Sequence, residues 1–130
     1  MDTTAERSFI FFRTRDELLR VDLRHVVYFK ADRNYTELHF LNGATALLDT
    51  SIGNVEDLLN RLNRLGRIPP FARIGRSHIV SLRHIFRIDI LHQRLVLTDL
   101  QSPTIYDLCV PKEALKKLKD LYSTKQWKLS

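Results

Sequence analysis

The sequence predicts a mainly β fold: antiparallel sheets with two short peripheral helices. Three observations point there. Short runs rich in β-branched and aromatic residues are separated by turn residues, as strands in an antiparallel sheet would be. Helical periodicity occurs in only two stretches, Ile52–Leu65 and the segment after Pro111. Strands and helices do not alternate in a βαβ rhythm, and no internal repeat is present, which argues against a parallel sheet. A chain of 130 residues fits one domain.

Taken in order, Ser8–Arg13 is apolar and aromatic (Phe9, Ile10, Phe11, Phe12) and breaks at Thr14–Glu17. Leu18–Asp22 then carries Leu19, Val21 and the adjoining Leu23, so the two segments read as a hairpin. His25–Lys30 holds Val26, Val27, Tyr28 and Phe29 and reads as a strand ending at the polar Ala31–Asn34. Tyr35–Phe40 alternates, and Asn42-Gly43 follows it. That dipeptide predicts a type I′ turn returning the chain along Ala44–Leu48.

Ile52, Val55, Leu58, Leu59, Leu62 and Leu65 recur at helical spacing, with Ser51 or Asn54 as the cap and Gly66 and Pro69-Pro70 as the stop. Phe71–Leu82 reads as irregular to extended. Ile85–Ile90 and Arg94–Thr98 form a hairpin around His92-Gln93, and Thr104–Val110 is a last strand. Pro111 suits the first position of a helix running to about Tyr122, with Leu115, Leu118 and Leu121 on one side and Lys112, Lys116, Lys117 and Lys119 on the other. That makes about eight or nine strands. The domain is expected over residues 8–122, between a polar N-terminal tail (1–7) and a C-terminal tail (123–130) in which Trp127 could dock.

Composition narrows the function. A hydrophobic share of 44% is too high for a disordered chain. Apolar stretches such as Phe9–Phe12 are far shorter than the roughly 20 residues of a membrane span, so no membrane partner is expected. The polar Met1–Arg7 does not resemble a signal peptide. The lone Cys109 rules out an internal disulfide framework and suits a reducing cytoplasm. Lys and Arg number 21 against 15 Asp and Glu, a balance that suits either a polyanionic partner or simply a solvated basic surface.

The search for enzyme chemistry is negative. Phosphate-loop, dinucleotide and zinc-type Cys/His spacings are missing from the sequence, and no cofactor is expected. The histidines His25, His39, His78, His84 and His92 show no helical i, i+4 pair, so surface or satisfied core roles fit them better than metal ligation. Cys109, between Leu108 and Val110, is expected to be a small buried residue. Ser77 beside His78 does not make a catalytic pair, because triads are spatial.

Two segments resemble the LytTR family of bacterial regulators. Leu23, Val26, Tyr28, Ala31 and Tyr35 fall in Asp22–Thr36 with the spacing of that family's strand-and-loop pattern. Phe71-Ala72-Arg73-Ile74-Gly75-Arg76-Ser77-His78-Ile79-Val80-Ser81, continuing to Ile85, is similar to its signature F-x-R-x-H-R-S-x-x-V-N. A helix of the Ile52–Leu65 type between the two, and a closing strand leading into a basic helix, agree in order, so the likeness spans about residues 8–122. The chain departs from the pattern at Gly75 (usually His), at Ser81 (usually Asn), and at Val110-Pro111-Lys112, where a Ser-Arg pair is common.

The resemblance implies stacked antiparallel sheets that read DNA through loops rather than through a recognition helix. It implies a non-enzymatic, cytoplasmic regulator of transcription that binds double-stranded DNA at promoter repeats. A second copy of the chain would occupy the neighbouring repeat. With no receiver domain ahead of the match, a stand-alone domain is expected. Three contacting regions carry over: Asp32–Tyr35 with Arg33, Asn34 and Tyr35; Arg73–His78 with Arg73, Arg76, Ser77 and His78; and Val110–Lys112 with Lys112. Their chemistry suits the work. Arg33 and Asn34 are donors for base edges or phosphates, and Arg73 and Arg76 offer planar forks. Ser77 is a short backbone donor, and Lys112 adds charge at a helix start. Bland roles stay open beside these: Arg73 could pair with an acidic neighbour and Ser77 could bond its own backbone. Two other functions fit the same sequence. One is a LytTR-like module that regulates a protein partner without DNA, in keeping with the missing imidazole at Gly75. The other is an RNA-binding module stacking bases on Phe9, Phe11 and Tyr35.

Overall fold

The chain builds three antiparallel sheets, and both faces of the largest are covered by other elements. The computed structural model describes residues 9–66 and 68–123. Among them are β1 (Phe9–Arg13), β2 (Leu18–Asp22), β3 (Val26–Asp32), β4 (Tyr35–Phe40), β5 (Thr45–Leu48) and α1 (Ile52–Arg64). β6 (Phe71–Ile74), β7 (His78–Ser81), β8 (Ile85–Asp89), β9 (Arg94–Leu97), β10 (Tyr106–Cys109) and α2 (Lys112–Ser123) follow. The expected tails, apart from Ser123, and Trp127 lie outside the described residues.

The strands form three antiparallel sheets: β1-β2, the five-stranded β5-β4-β3-β7-β6, and β10-β9-β8. The mainly β fold with two helices is therefore as expected. β3 is central, which explains its unbroken Val26-Val27-Tyr28-Phe29 run: both of its faces are covered. A bulge between Val26 and Tyr28 places Val27 and Tyr28 on the same side.

One face of the five-stranded sheet packs Val26, Phe29, Leu38 and Ile79 against the β1-β2 hairpin and the apolar stripe Ile52, Val55 and Leu59 of α1. The other packs Val27, Tyr28, Ile74 and Val80 against β9 and the stripe Leu115 and Leu118 of α2. Each fully buried aliphatic side chain of this kind contributes about 1.5–3 kcal/mol through removal from water. α1 begins at Ser51, whose Oγ accepts from the Asn54 amide at 3.2 Å, and it ends before Gly66 at φ +65°.

Three expectations change. The Asn42-Gly43 turn is not type I′, which needs positive φ at two residues, because only Gly43 is left-handed (φ +86°). Leu41–Gly43 instead make a three-residue loop. In it the Gly43 amide donates to the Phe40 carbonyl at 3.0 Å, and Asn42 Oδ1 accepts from the Ala44 amide at 2.9 Å. Phe71–Leu82, read as irregular to extended, is extended and regular: it contains the β6-β7 hairpin, which brings the strands among the described residues to ten. Cys109 is exposed, not buried. β10 is an edge strand whose Tyr106 and Leu108 face the core, so Cys109 shares the outer face with Asp107.

Candidate nucleic-acid interface

The β3-β4 and β6-β7 turns emerge together because β3 and β7 are antiparallel neighbours. Lys30 pairs with His78, so the end of β3 lies beside the start of β7. The Ala31 amide donates to the Ser77 carbonyl at 2.8 Å and ties one turn to the base of the other. The β3-β4 connection is a two-residue turn, Arg33-Asn34, closed by the pair Asp32 and Tyr35. The β6-β7 connection is a three-residue turn, Gly75-Arg76-Ser77, closed by Ile74 and His78.

All five of these turn residues are exposed, and Tyr35 is 44% exposed beside them. Among the described residues neither Arg33 nor Arg76 enters an ion pair. Arg33 adopts φ +58° and Gly75 φ +61°, the left-handed region that only glycine enters without strain.

Arg73 is placed differently. Its Nη1 donates to Glu56 Oε1 on α1 at 2.8 Å, and its Nη2 donates to the Arg76 carbonyl at 2.9 Å. Its Nε is buried without a hydrogen-bond partner among the described residues. The fork thus points back into the protein, spanning α1 and the turn that carries Arg76.

His78 is half-buried near Tyr28, with ring centroids 6.1 Å apart. Burial, reinforced by the nearby Lys30 ammonium and then by His39, pushes its imidazole below the ordinary value and favours the neutral form. Tyr28 stacks on His39 at 4.2 Å, and burial pushes its phenol up to about 12. His39 Nε2 in turn donates to Glu37 at 3.0 Å.

Lys112, exposed, is the first residue of α2. Two residues on, Ala114 lines a groove of about 390 Å³ together with Gly75 and Lys117. The structure therefore sets the first expected region, through its neighbour Ala31, beside the second, and the helix bearing the third packs beside β6. Phe9, by contrast, lies near His25 and Asn42, at the opposite end of β4 from Tyr35. The aromatics Phe9 and Tyr35 do not form a single stacking platform.

Glu56 is the member of this cluster that sequence reasoning missed. It precedes Arg73 by 17 residues, and only the packing of α1 across the sheet brings the two together. The available signal was only an acidic residue next to Val55 on the apolar stripe of the predicted helix.

Among the described residues no group of His, Cys, Asp and Glu side chains could hold a metal ion. No helix of those residues is long and apolar enough to cross a membrane.

Adjacent hairpin turns at one sheet end carry exposed cationic and amide side chains on a β domain of three antiparallel sheets. The sequence matches the LytTr DNA-binding domain over residues 16–123, and the chain belongs to that family. No curated protein matches it. Among solved structures, a LytTr DNA-binding domain from Bacillus cereus shares the fold, with a TM-score of 0.58 and 24% identity over 88% of this chain and 95% of that one.

Proposed function

We propose that this domain binds duplex DNA sequence-specifically, at repeated sites in promoters, and regulates transcription there. The observation that carries this reading is the pairing of two turns at one sheet end, with Arg33, Asn34, Arg76 and Ser77 exposed and the backbones joined through Ala31 and Ser77. A two-stranded ribbon fits the major groove, about 12 Å wide, so two neighbouring hairpin turns are suitable probes of base edges. Arg76 and Asn34 offer two-pronged contacts to guanine and adenine respectively. Ser77, Tyr35 and Lys112 suit the phosphate backbone on either side. His78 sits at the base of the turn opposite Ile74, and its imidazole, lowered by burial, suits a polar contact through a ring nitrogen. Arg73 belongs to the same cluster through the Arg76 carbonyl. A second copy of the chain on a neighbouring repeat would extend the contact along the duplex.

The test is selection from random duplexes followed by titration against the selected site, a scrambled duplex and single-stranded RNA at several salt concentrations. Tighter binding to the selected duplex, with log K falling by about 0.9 per phosphate contact for each unit of log salt, supports the proposal. Binding that does not depend on salt, or that favours RNA, overturns it.

A further inference from the structure

We infer that Arg73 and Glu56 form a positioning device for the reading turn, which makes α1 a determinant of DNA specificity without touching DNA. The inference deepens the DNA-reading proposal and rests on it.

Arg73 lies in the segment most similar to the family signature, yet its guanidinium is occupied on two sides. Glu56 of α1 takes one prong at 2.8 Å, and the Arg76 carbonyl takes the other at 2.9 Å. Both groups are only partly exposed, with 26% of the Arg73 side chain and 35% of Glu56 reaching solvent. Nε is buried among protein atoms, so the base of the fork is enclosed as well. A guanidinium is rigid and planar, so anchoring one prong to a helix fixes where the other prong must sit.

That second prong holds the peptide carbonyl of the residue whose side chain is the best candidate for a base contact. Gly75, immediately before it, is left-handed and brings no side chain of its own to stiffen the turn. The turn is therefore aimed from both sides, by the Ala31 amide of β3, which donates to the Ser77 carbonyl, and by Arg73, which donates to the Arg76 carbonyl. Glu56 supplies the charge that keeps Arg73 turned inward rather than toward a phosphate.

The variants Glu56→Gln and Arg73→Lys separate this from direct phosphate contact. Glutamine keeps the shape of Glu56 and removes its charge. Lysine keeps the charge of Arg73 but cannot bridge two acceptors in one plane. Each variant is titrated against a selected duplex and a scrambled duplex across a salt series. Each is also followed by amide hydrogen exchange without DNA, with thermal melting as a control.

For both variants the expected result is a three- to tenfold loss of preference for the selected duplex, with the salt slope of wild type. The amides of Gly75, Arg76 and Ser77 should exchange faster while the core amides stay unchanged. If Arg73 instead holds a phosphate, Glu56→Gln releases it and binds both duplexes as tightly as wild type or more so. A third variant, Arg73→Gln, which removes the charge, then shrinks the salt slope by about 0.9. That pattern overturns the inference, as does unchanged exchange of the turn amides in both variants. Should wild type bind no duplex, the DNA proposal itself fails, and the exchange measurement alone still decides whether Glu56 and Arg73 hold the turn.

Discussion

The β3-β4 and β6-β7 turns leave the same end of the same sheet and meet the same backbone demand with different residues. Each needs one residue in the left-handed region. In β6-β7 that residue is Gly75, which adopts φ +61° without a steric penalty and leaves Arg76 and Ser77 in ordinary conformations. In β3-β4 it is Arg33 at φ +58°, where a side chain typically costs about 1–2 kcal/mol. A glycine would close the β3-β4 turn more easily. Strain retained at a non-glycine residue points to a use for its side chain, and here that side chain is an exposed guanidinium. The two turns thus divide the work. One carries its cation on the strained residue itself, and the other places its cation beside a flexible glycine and braces the carbonyl from below.

The sharpest way to test this division is to remove each cation. Arg76→Ala should cost about 1–3 kcal/mol of DNA affinity with an unchanged melting temperature. If Arg76 reads a base, the loss is greater on the selected duplex than on a scrambled one. If it holds a phosphate, the two losses are equal and the salt slope shrinks. Wild-type affinity on both duplexes would remove this turn from the interface.

Gly75→Val tests the backbone half of the comparison. Apart from Gly75 and its two chain neighbours, no atom of the described residues lies within 4 Å of a Cβ at this position, so the cost is that of the left-handed backbone. A β-branched residue at this φ should lower unfolding free energy by about 1–2 kcal/mol, read from urea melts. Gly75→Asn should cost less, because asparagine tolerates the left-handed region. Equal stability of both variants would mean that the turn relaxes to another conformation.

Arg33→Gly should separate function from stability in a single residue. Relief of the left-handed strain is offset by the greater chain entropy of an unfolded glycine, leaving stability within about 1 kcal/mol of wild type. DNA affinity should nevertheless fall. A variant that is clearly less stable, or one that binds DNA as before, would show that Arg33 serves the turn and not the ligand.

Much of this architecture is visible in the sequence, for reasons that also explain where it is not. β1 to β5 alternate or form continuous β-branched and aromatic runs, and α1 shows its core stripe from Ile52 to Leu62 with Ser51 as cap. β6 and β7 were obscure because each is four residues long and β7 is an interior strand. Its contiguous buried Ile79, Val80 and Ser81 give no alternation to read. The Gly75-Arg76-Ser77 turn also lacks the Asn-Gly or Asp-Gly signal that marks two-residue hairpins. Cys109 misleads because its neighbours Leu108 and Val110 are apolar, and only its place on an edge strand reveals the outward face. The residues of the two turns are legible as a resemblance, whereas the inward orientation of Arg73 depends on where α1 lies.

Two histidines at opposite ends of β7 extend the comparison to pH. His78 starts the strand beside the β6-β7 turn. His84, just past its end, shares a 2.8 Å hydrogen bond with Ser81 Oγ. Burial lowers both imidazoles below their ordinary value. The unfolded chain, with imidazoles near about 6.5, therefore binds protons that the folded state refuses. Their contribution to stability is complete above about pH 6.5 and is lost as pH falls from there toward the folded-state values. Urea melts at pH 7.5 and 5.5 should show a smaller difference in His78→Gln and in His84→Gln, and a smaller one still in the double variant. A double variant with the wild-type difference would assign the pH response to other groups.

The smallest expected effect is the control for all the others. Arg83 is exposed in the 3-10 turn Leu82–His84, beyond the end of β7 that lies away from His78. It carries the same charge as Arg76 but projects from the opposite end of the central sheet. If DNA is held by contacts at the two turns, Arg83→Ala acts only through the weak long-range field. At moderate salt that field is screened within about 8–10 Å. The variant should then fall within about 0.5 kcal/mol of wild type, the scatter of ordinary surface substitutions, with an unchanged salt slope. Suppose instead that the net charge of +6 holds DNA diffusely over the surface. Arg83→Ala and Arg76→Ala would then lose similar affinity on every duplex, and each would flatten the salt slope. Titrating the two variants side by side at 50 and 200 mM salt therefore distinguishes a reading end from a uniformly basic protein.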